Sequence, residues 1–377
     1  MQNPFIFGKV VTGDQFVDRE EETAMIAQTL LSGQNVICYS PRRYGKTSLM
    51  MRVRENLVKK GRLVFFIDLF RVTSLDDLYS IYANSVTGAV RSPLKNLITT
   101  IQGMFPTINP KIVFKSPESP TIEISATLPL LGKPATLREL FDSLENFCGK
   151  KGKKGVVMFD EFQEITTLQD GALIEREMRS AFQHHKHVSY AFLGSKNHLL
   201  KDLFRDKNRP FYNFGRHFEL GAIDTNHWVK YIADKMGPDC PAEHIAAIIT
   251  TTENHPYYTQ MYCHYLWEKT NRPRRRVTTA ILDDVTGEIL ERDSLHFSEF
   301  WYDCSSTERH LIKALAIETT SGIYEKRFII EHNLGSASSI QKAAERLIRL
   351  DYLKKDQSGA IRFVNPFFKL WIRQGAP

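Results

Sequence analysis

Along the chain, short and wholly apolar runs alternate with longer stretches whose apolar residues recur every three or four positions. The first pattern reads as a strand buried on both faces, the second as a helix with one buried side. Residues 18–32 (DREEETAMIAQTLLS) predict a helix with Met25, Ile26, Leu30 and Leu31 on one face, and residues 35–39 (NVICY) a buried strand that stops at Ser-Pro. Helical spacing returns over 46–60, a second buried strand follows over 63–69 (LVFFIDL), and 75–90 is helical again. Residues 136–148 predict a helix, KKGKKG a solvated turn, and 155–160 (GVVMFD) a third buried strand. A helix over 171–187, a strand over 188–193 (VSYAFL) and a fifth strand candidate, HFEL within 210–220, complete the series. Strands alternating with helices imply an α/β fold with a parallel sheet.

Three stretches depart from this rhythm. Residues 92–135 are rich in proline and carry alternating segments at KIVFK and TIEISATL, which predict an insertion with a β-hairpin. From about 224 the strands stop, and 225–292 reads as several helices, a small helical lid. From 305 the order becomes helix (305–317, opened by Ser-Ser-Thr caps), short helix (325–332), a turn at Leu334-Gly335, helix (336–350) and two strands around Ser-Gly in YLKKDQSGAIRFV. That order is a winged helix-turn-helix, its third helix packing through Ile340, Ala343, Ala344, Leu347 and Ile348. The expected division is a core over 1–223, a lid over 224–298 and a winged-helix domain over 299–377.

Bulk composition changes this picture little. A length of 377 residues suits two or three domains. The 42% hydrophobic and 25% charged content is that of an ordinary globular chain. No apolar run reaches the roughly 18–20 residues that span a bilayer, and the first residues do not form a signal peptide, so a cytoplasmic location is the expectation. Five scattered cysteines (Cys38, Cys148, Cys240, Cys263, Cys304), with no CxxC pair and no zinc spacing, predict buried free thiols. The net charge of +7 is compatible with nucleic acid but modest for this length.

The candidate chemistry lies at the ends of the predicted strands. Residues 40–48 (SPRRYGKTS) follow a buried strand and open a helix, and Gly45, Lys46 and Thr47 match the second half of the phosphate-loop pattern G-x-x-x-x-G-K-[ST]. Ser40 stands where that pattern has its first glycine, which is tolerable if its backbone need not adopt positive φ. Such a loop turns backbone N–H groups onto phosphates at a helix N-terminus. Ser40, Pro41, Arg42, Arg43, Tyr44, Gly45, Lys46, Thr47 and Ser48 are therefore the candidate nucleotide contacts, with Lys46 on the β and γ phosphates and the Thr47 hydroxyl on Mg²⁺. Arg42 and Arg43 either reach the γ-phosphate or a partner subunit, or form salt bridges to the core acids. The 155–160 strand delivers Asp160 as second Mg²⁺ ligand and Glu161 as the group that orients or deprotonates water. Lys46, Asp160 and Glu161 form the candidate catalytic set. At the end of the fourth strand, Ser195, Lys196 or Asn197 is either a γ-phosphate sensor or part of a helix cap.

At these residues the chain resembles a known group. FVDREEE at 16–22, SPRRYGKTSLM at 40–50, VVMFDEFQEI at 156–165 and FLGSK at 192–196 resemble the archaeal-type P-loop ATPase family, of the signal-transduction branch related to AAA+ proteins. The opening NPFIFGKVV is similar to the entry segment of that family. The resemblance implies an AAA+-like ATPase core with ATP and Mg²⁺ as ligands, a helical lid and a C-terminal winged helix. NHPYYTQ at 254–260 is similar to the family's G-x-P-type lid element, which brings Pro256 into the expected nucleotide contacts, although Asn254-His255-Pro256 stands there without the glycine. Asp18 likewise replaces a common glycine, and adenine contacts are expected from residues 4–20.

The function these readings support is a Mg-dependent ATPase acting as a nucleotide-driven switch with a winged-helix output. The alternatives are a DNA-associated ATPase, initiator- or motor-like, and a non-hydrolysing nucleotide-binding scaffold. Lys342, Arg346 and Arg349 on the third winged-helix helix suit a DNA partner, and the same module serves equally for packing or protein contact. RPRRR at 272–276 is either a phosphate contact or a solvated loop. Arg205, Arg209 and Arg216 are candidate arginine fingers, with Arg216 favoured because it adjoins the last strand.

Overall fold

A computed structural model of the chain describes residues 2–11, 13–89, 111–116, 119–123, 137–271, 275–356 and 358–375. Most of the 92–135 insertion and residues 272–274 of the basic RPRRR segment lie outside the described residues. The chain forms two compact units: Arg19–Arg42 with Lys46–Gly221, and Met1–Asp18 with Arg43–Gly45 and Ala222–Pro377.

The unit around residues 19–221 is built on a five-stranded parallel sheet. Its strands are β1 (Val36–Tyr39), β2 (Leu63–Asp68), β5 (Gly155–Asp160), β6 (Val188–Gly194) and β7 (Arg216–Glu219), in the order β2-β5-β6-β1-β7. Every residue of β1, β5 and β6 is buried, which is why these strands read as unbroken apolar runs. The helices between them are α1 (Glu20–Leu31), α2 (Lys46–Lys59), α3 (Leu75–Ala89), α4 (Leu137–Lys150), α5 (Gly171–Phe182) and α6 (Asn197–Arg205). A separate antiparallel pair, β3 (Lys111–Ser116) and β4 (Ser119–Glu123), supplies the predicted hairpin. An aromatic cluster fills one face of the sheet: Phe159 stacks near Tyr190 and Phe192, and Phe162 meets Phe192 edge-on with ring centres 4.6 Å apart.

Two local expectations are corrected here. Met25 is exposed rather than in the core, because α1 turns Ile26, Ala27 and Leu30 inward instead. The helix predicted to 187 ends at Phe182, and residues 183–187 form turns leading into β6.

The other unit is helical. It contains α7 (Thr225–Met236), α8 (Ala242–Thr252), α9 (Pro256–Asn271) and a 25-residue helix, α10 (Thr279–Asp303). Phe5 and Val17 share its core with Trp228, Tyr262 and Phe297. Then come α11 (Ser306–Ile317), α12 (Lys326–Glu331), α13 (Ala337–Arg349), the antiparallel wing β8 (Leu353–Lys355) and β9 (Ile361–Phe363), and a closing helix α14 (Pro366–Arg373) that periodicity did not single out. Ile340, Ala343, Ala344 and Leu347 of α13 are buried, and Ile348 packs against them from a half-buried position. All five cysteines are free and buried. Among the described residues, no helix is long and apolar enough to cross a membrane.

Candidate functional site

The sheet order decides which side chains can meet. β6 lies between β1 and β5, so the loop after β1, the acids after β5 and the residues after β6 emerge at one edge, the C-terminal ends of the strands. β5 places Asp160 opposite Asp68 of β2, and β1 pairs Tyr39 with Gly194 of β6.

The segment from Ser40 to Gly45 joins β1 to α2, whose first turn holds Lys46, Thr47 and Ser48. Ser40 is fully buried and is not one of the residues with positive φ, which explains how serine substitutes for the leading glycine. The left-handed positions are Arg43 (φ 67°) and Gly45 (φ 82°). Gly45 is the residue the turn requires, since L side chains rarely adopt that conformation. Arg42 is exposed, and Arg43 lies over the Tyr257 ring, its guanidinium carbon 4.4 Å from the centroid. Arg42 and Arg43 have no ion pair to a core acid among the described contacts, and Tyr44 packs edge-on against His255 at 4.4 Å. Pro41 is half-buried and Ser48, in the first turn of α2, is buried.

Lys46 opens α2 with its side chain buried. Its Nζ lies 3.8 Å from Asp160 Oδ1 and 3.4 Å from Glu161 Oε1. The Thr47 hydroxyl donates to Asp160 Oδ2 at 3.0 Å. A hydroxyl and a carboxylate converging beside a buried lysine form an oxygen donor set of the hard type that suits Mg²⁺, so Thr47 and Asp160 fit the metal expected of them. Burial pushes the Asp160 carboxyl above its usual range although Lys46 opposes it. Burial acts on Glu161 in the same sense, but there Lys46, Gln163 and Ser195 outweigh it and hold the carboxyl below its usual range.

Glu161 itself has φ 51°, the left-handed region, and starts a short 3₁₀ turn over Phe162–Thr167. A non-glycine residue in that region costs on the order of 1 kcal/mol and is a mark of functional sites. Its Oε2 accepts from Ser195 Oγ at 2.8 Å, from Ser195 N at 3.2 Å and from Gln163 Nε2 at 2.6 Å. Ser195 is therefore brought to the acids at the end of β5. Lys196 instead pairs with Glu164 at 3.0 Å, and Asn197 begins α6. Gln163 and Glu164 were not singled out as site residues from the sequence; their position directly after Asp160-Glu161 was the available signal.

The finger candidates separate by their contacts. Arg205 donates to the Tyr39 hydroxyl at 2.6 Å and Arg209 to Glu175 at 2.6 Å, which ties both into the core. Arg216 is exposed on edge strand β7, stacked at 5.0 Å over Phe218.

A family described as an ATPase domain predominantly from Archaea matches residues 16–229, more than half of the chain. This chain belongs to that ATPase family. A probable winged helix domain matches residues 295–374. No curated protein sequence matches. Among solved structures, the ATPase-family chain is similar to a Walker-type ATPase of Pyrococcus abyssi, at 17% identity and a TM-score of 0.62, covering 96% of this chain and 97% of that one. It is also similar to the ORC2 protein of Aeropyrum pernix, solved in ADPNP–ADP complexes, at 12% identity and a TM-score of 0.50, covering 94% of both chains. At such identities the likeness speaks for the fold.

In the other unit, Pro256 is the first residue of α9, and Glu253 and Asn254 before it both take left-handed φ (49° and 58°). Both take the conformation that glycine adopts most readily. Asn254 helps to hold the turn: its side-chain amide donates to Thr225 Oγ1 at 3.0 Å and its backbone carbonyl accepts from Trp228 Nε1 at 3.2 Å. Asp18, which stands where the family commonly has glycine, also has positive φ (61°). On the winged helix, Lys342 and Arg349 are exposed, whereas Arg346 Nη1 contacts both carboxylate oxygens of Glu308 at 2.8 and 2.9 Å. Arg346 is thus an internal tie rather than a free cation.

Proposed function

We propose that this protein binds Mg-ATP at the loop 40–48, hydrolyses it, and works as a nucleotide-driven switch with the winged helix as output. The observation that carries this reading is the meeting of Lys46, Thr47, Asp160 and Glu161 at one edge of the parallel sheet, with Thr47 bonded to Asp160 and Lys46 lying between the two acids. Bound Mg²⁺ would draw charge from the phosphates, held by Thr47 and Asp160. Lys46 leaves the acids and takes the β and γ phosphate oxygens. The N–H groups at the start of α2 face the same phosphates, at the positive end of the helix. Once Lys46 has moved, Glu161 Oε1 is free to accept a hydrogen bond from the attacking water and aim it at the γ-phosphorus.

Direct measurement of ATP binding and turnover tests this. Lys46→Ala should abolish nucleotide binding, and an unchanged ATP affinity would defeat the phosphate-loop assignment. Glu161→Gln should bind ATP normally and lose turnover by roughly 100-fold or more, the usual worth of a positioned base; normal turnover would remove Glu161 from that role. ATP binding with no turnover in the unaltered protein would favour the scaffold reading. DNA-stimulated turnover with steep salt dependence would favour the DNA-associated reading. The tie between Arg346 and Glu308 leaves Lys342 and Arg349 as the exposed cations of the three expected there, which supports the switch over a base-reading helix.

A further inference from the structure

The 3₁₀ turn after Glu161 carries a fully buried glutamine whose amide is used in an uneven way. Gln163 Nε2 donates to Glu161 Oε2 at 2.6 Å and to Glu164 Oε1 at 3.2 Å, while its Oε1 is buried without a hydrogen-bond partner. Only an NH₂ can serve two carboxylates, so this orientation of the amide is the one the contacts require. The opposite side of the amide is confined by β6: a Cβ placed on Gly194 would fall closer to Gln163 Oε1 than any real carbon–oxygen contact, and would also crowd Leu200. Gly194 thus leaves the space in which the amide sits. Leaving an acceptor unpaired in the interior costs about 1–3 kcal/mol, so the arrangement is maintained against a penalty.

What the amide achieves is an inequality between the two oxygens of Glu161. Oε2 is saturated by Gln163 Nε2, Ser195 Oγ and Ser195 N. Oε1 has Lys46 at 3.4 Å as its hydrogen-bond donor, a partner that phosphate draws away. The geometry points to Gln163 as a positioning residue for the hydrolytic step: with Ser195 it fastens one oxygen of Glu161 and thereby fixes the direction in which the other faces water. This rests on the reading of Glu161 as the water-orienting carboxylate. The Lys196–Glu164 pair at 3.0 Å braces the far side of the same amide through Glu164.

The test compares Gln163→Met, which preserves length and apolar volume but donates no hydrogen bond, with the unaltered protein. Single-turnover ATP cleavage should slow about 10- to 100-fold, the scale of a misaimed reacting group, with ATP affinity unchanged. Gly194→Ala, which displaces the amide while keeping Gln163, should slow cleavage in the same way without weakening ATP binding. In a Glu161→Gln background, Gln163→Met should cost nothing further, because the group it acts through is gone. Normal cleavage in both Gln163→Met and Gly194→Ala would overturn the inference. So would losses that multiply in the double variant, or a loss of ATP affinity parallel to the loss of rate. Glu161→Gln measured alongside separates the two claims: if it cleaves ATP normally, the role of Glu161 fails, whereas a slow Glu161→Gln with a normal Gln163→Met refutes the role of Gln163 alone.

Discussion

At the scale of single residues, the site and the wing both hold charges that burial opposes, and they answer it differently. Asp160 and Glu161 share one lysine, and Glu161 collects donors from Gln163 and Ser195 that hold it below its usual range. Asp160 relies on Thr47 and the Glu161 backbone N–H. Thr47→Ala therefore removes the proposed metal ligand together with a side-chain donor to Asp160. ATP cleavage should then need at least about tenfold more Mg²⁺ for half-maximal rate, a loss of roughly 1.4 kcal/mol, while Thr47→Ser stays near normal; a magnesium titration of both variants checks this. Lys354 on β8 is the contrasting case. Its ammonium meets the Tyr44 hydroxyl and ring, with no ion pair among the described residues, and burial depresses it from 10.5 to about 8, with Glu253 opposing and Arg362 adding to the depression. The sign follows from linkage. Between about pH 8 and 10.5 the unfolded chain holds a proton that the folded one has released, so stability rises with pH across that window; below pH 8 the full penalty applies. Its ceiling is about 3.4 kcal/mol, at 1.36 kcal/mol for each step of one pH unit between 8 and 10.5. Lys354→Met should raise the unfolding free energy near pH 7 by about 1–3 kcal/mol and flatten the rise from pH 8 to 10, both read by urea denaturation across pH. A destabilised variant with an unchanged slope would contradict this account.

At the scale of elements, the winged helix is held at its first and third helices by one carboxylate. Glu308 closes the capping box of α11 with Ser305 and also accepts Arg346 from α13. Arg346→Ala leaves that carboxylate buried with the cap alone, and should destabilise the helical unit by about 1.5–3 kcal/mol, the worth of a hydrogen bond to a charged group. Denaturation followed by tryptophan fluorescence from Trp301 and Trp371 reads it, and a change below about 0.5 kcal/mol, the scale of an ordinary surface substitution, would show the pair to be ornamental. If DNA binds this face, Lys342→Ala and Arg349→Ala should weaken it more than Arg346→Ala does. The same elements show what was legible beforehand. β1, β5 and β6 are buried on both faces, so an uninterrupted apolar run was enough to find them. The face of α13 was legible because Ile340, Ala343, Ala344 and Leu347 keep strict helical spacing. Met25 misled because α1 has apolar residues on two sides, and periodicity cannot say which side the sheet covers. α14 was missed because PFFKLWIR is nearly continuous in apolar residues and carries little period. The pairing of loop and acids was legible as motif. The clamp on Glu161 was not, because it depends on β6 lying beside β5 and on a left-handed turn that no residue type in EFQE announces.

At the scale of the whole molecule, the division into units makes the switch reading testable without assuming any arrangement between them. Lys46, Thr47, Asp160 and Glu161 belong to the sheet unit, whereas the loop tip Arg43–Gly45 clusters with the helical unit. Within that unit the tip meets Tyr257, His255 and Lys354. The loop backbone is therefore shared in sequence between the two units. Ligand linkage sets the first expectation: Mg-ADP at about 100 times its dissociation constant should add about 2.7 kcal/mol to the stability of whatever unfolds with the site, and nothing in Lys46→Ala. The switch demands more than stabilisation, because a ligand shifts a conformational equilibrium only through differential affinity for its states. Hydrogen exchange of α13, β8 and β9 should accordingly differ between the ADP-bound protein and the protein bound to ADPNP. The difference should disappear in Lys46→Ala and survive in Glu161→Gln, which binds without turning over. Lys354→Met should shrink it in the wing while leaving exchange in β1 and β5 unaffected, since its contact with Tyr44 lies in the helical unit. If both nucleotides protect the sheet unit equally and neither alters the winged helix, the loop is a binding site without an output, and the scaffold reading takes its place.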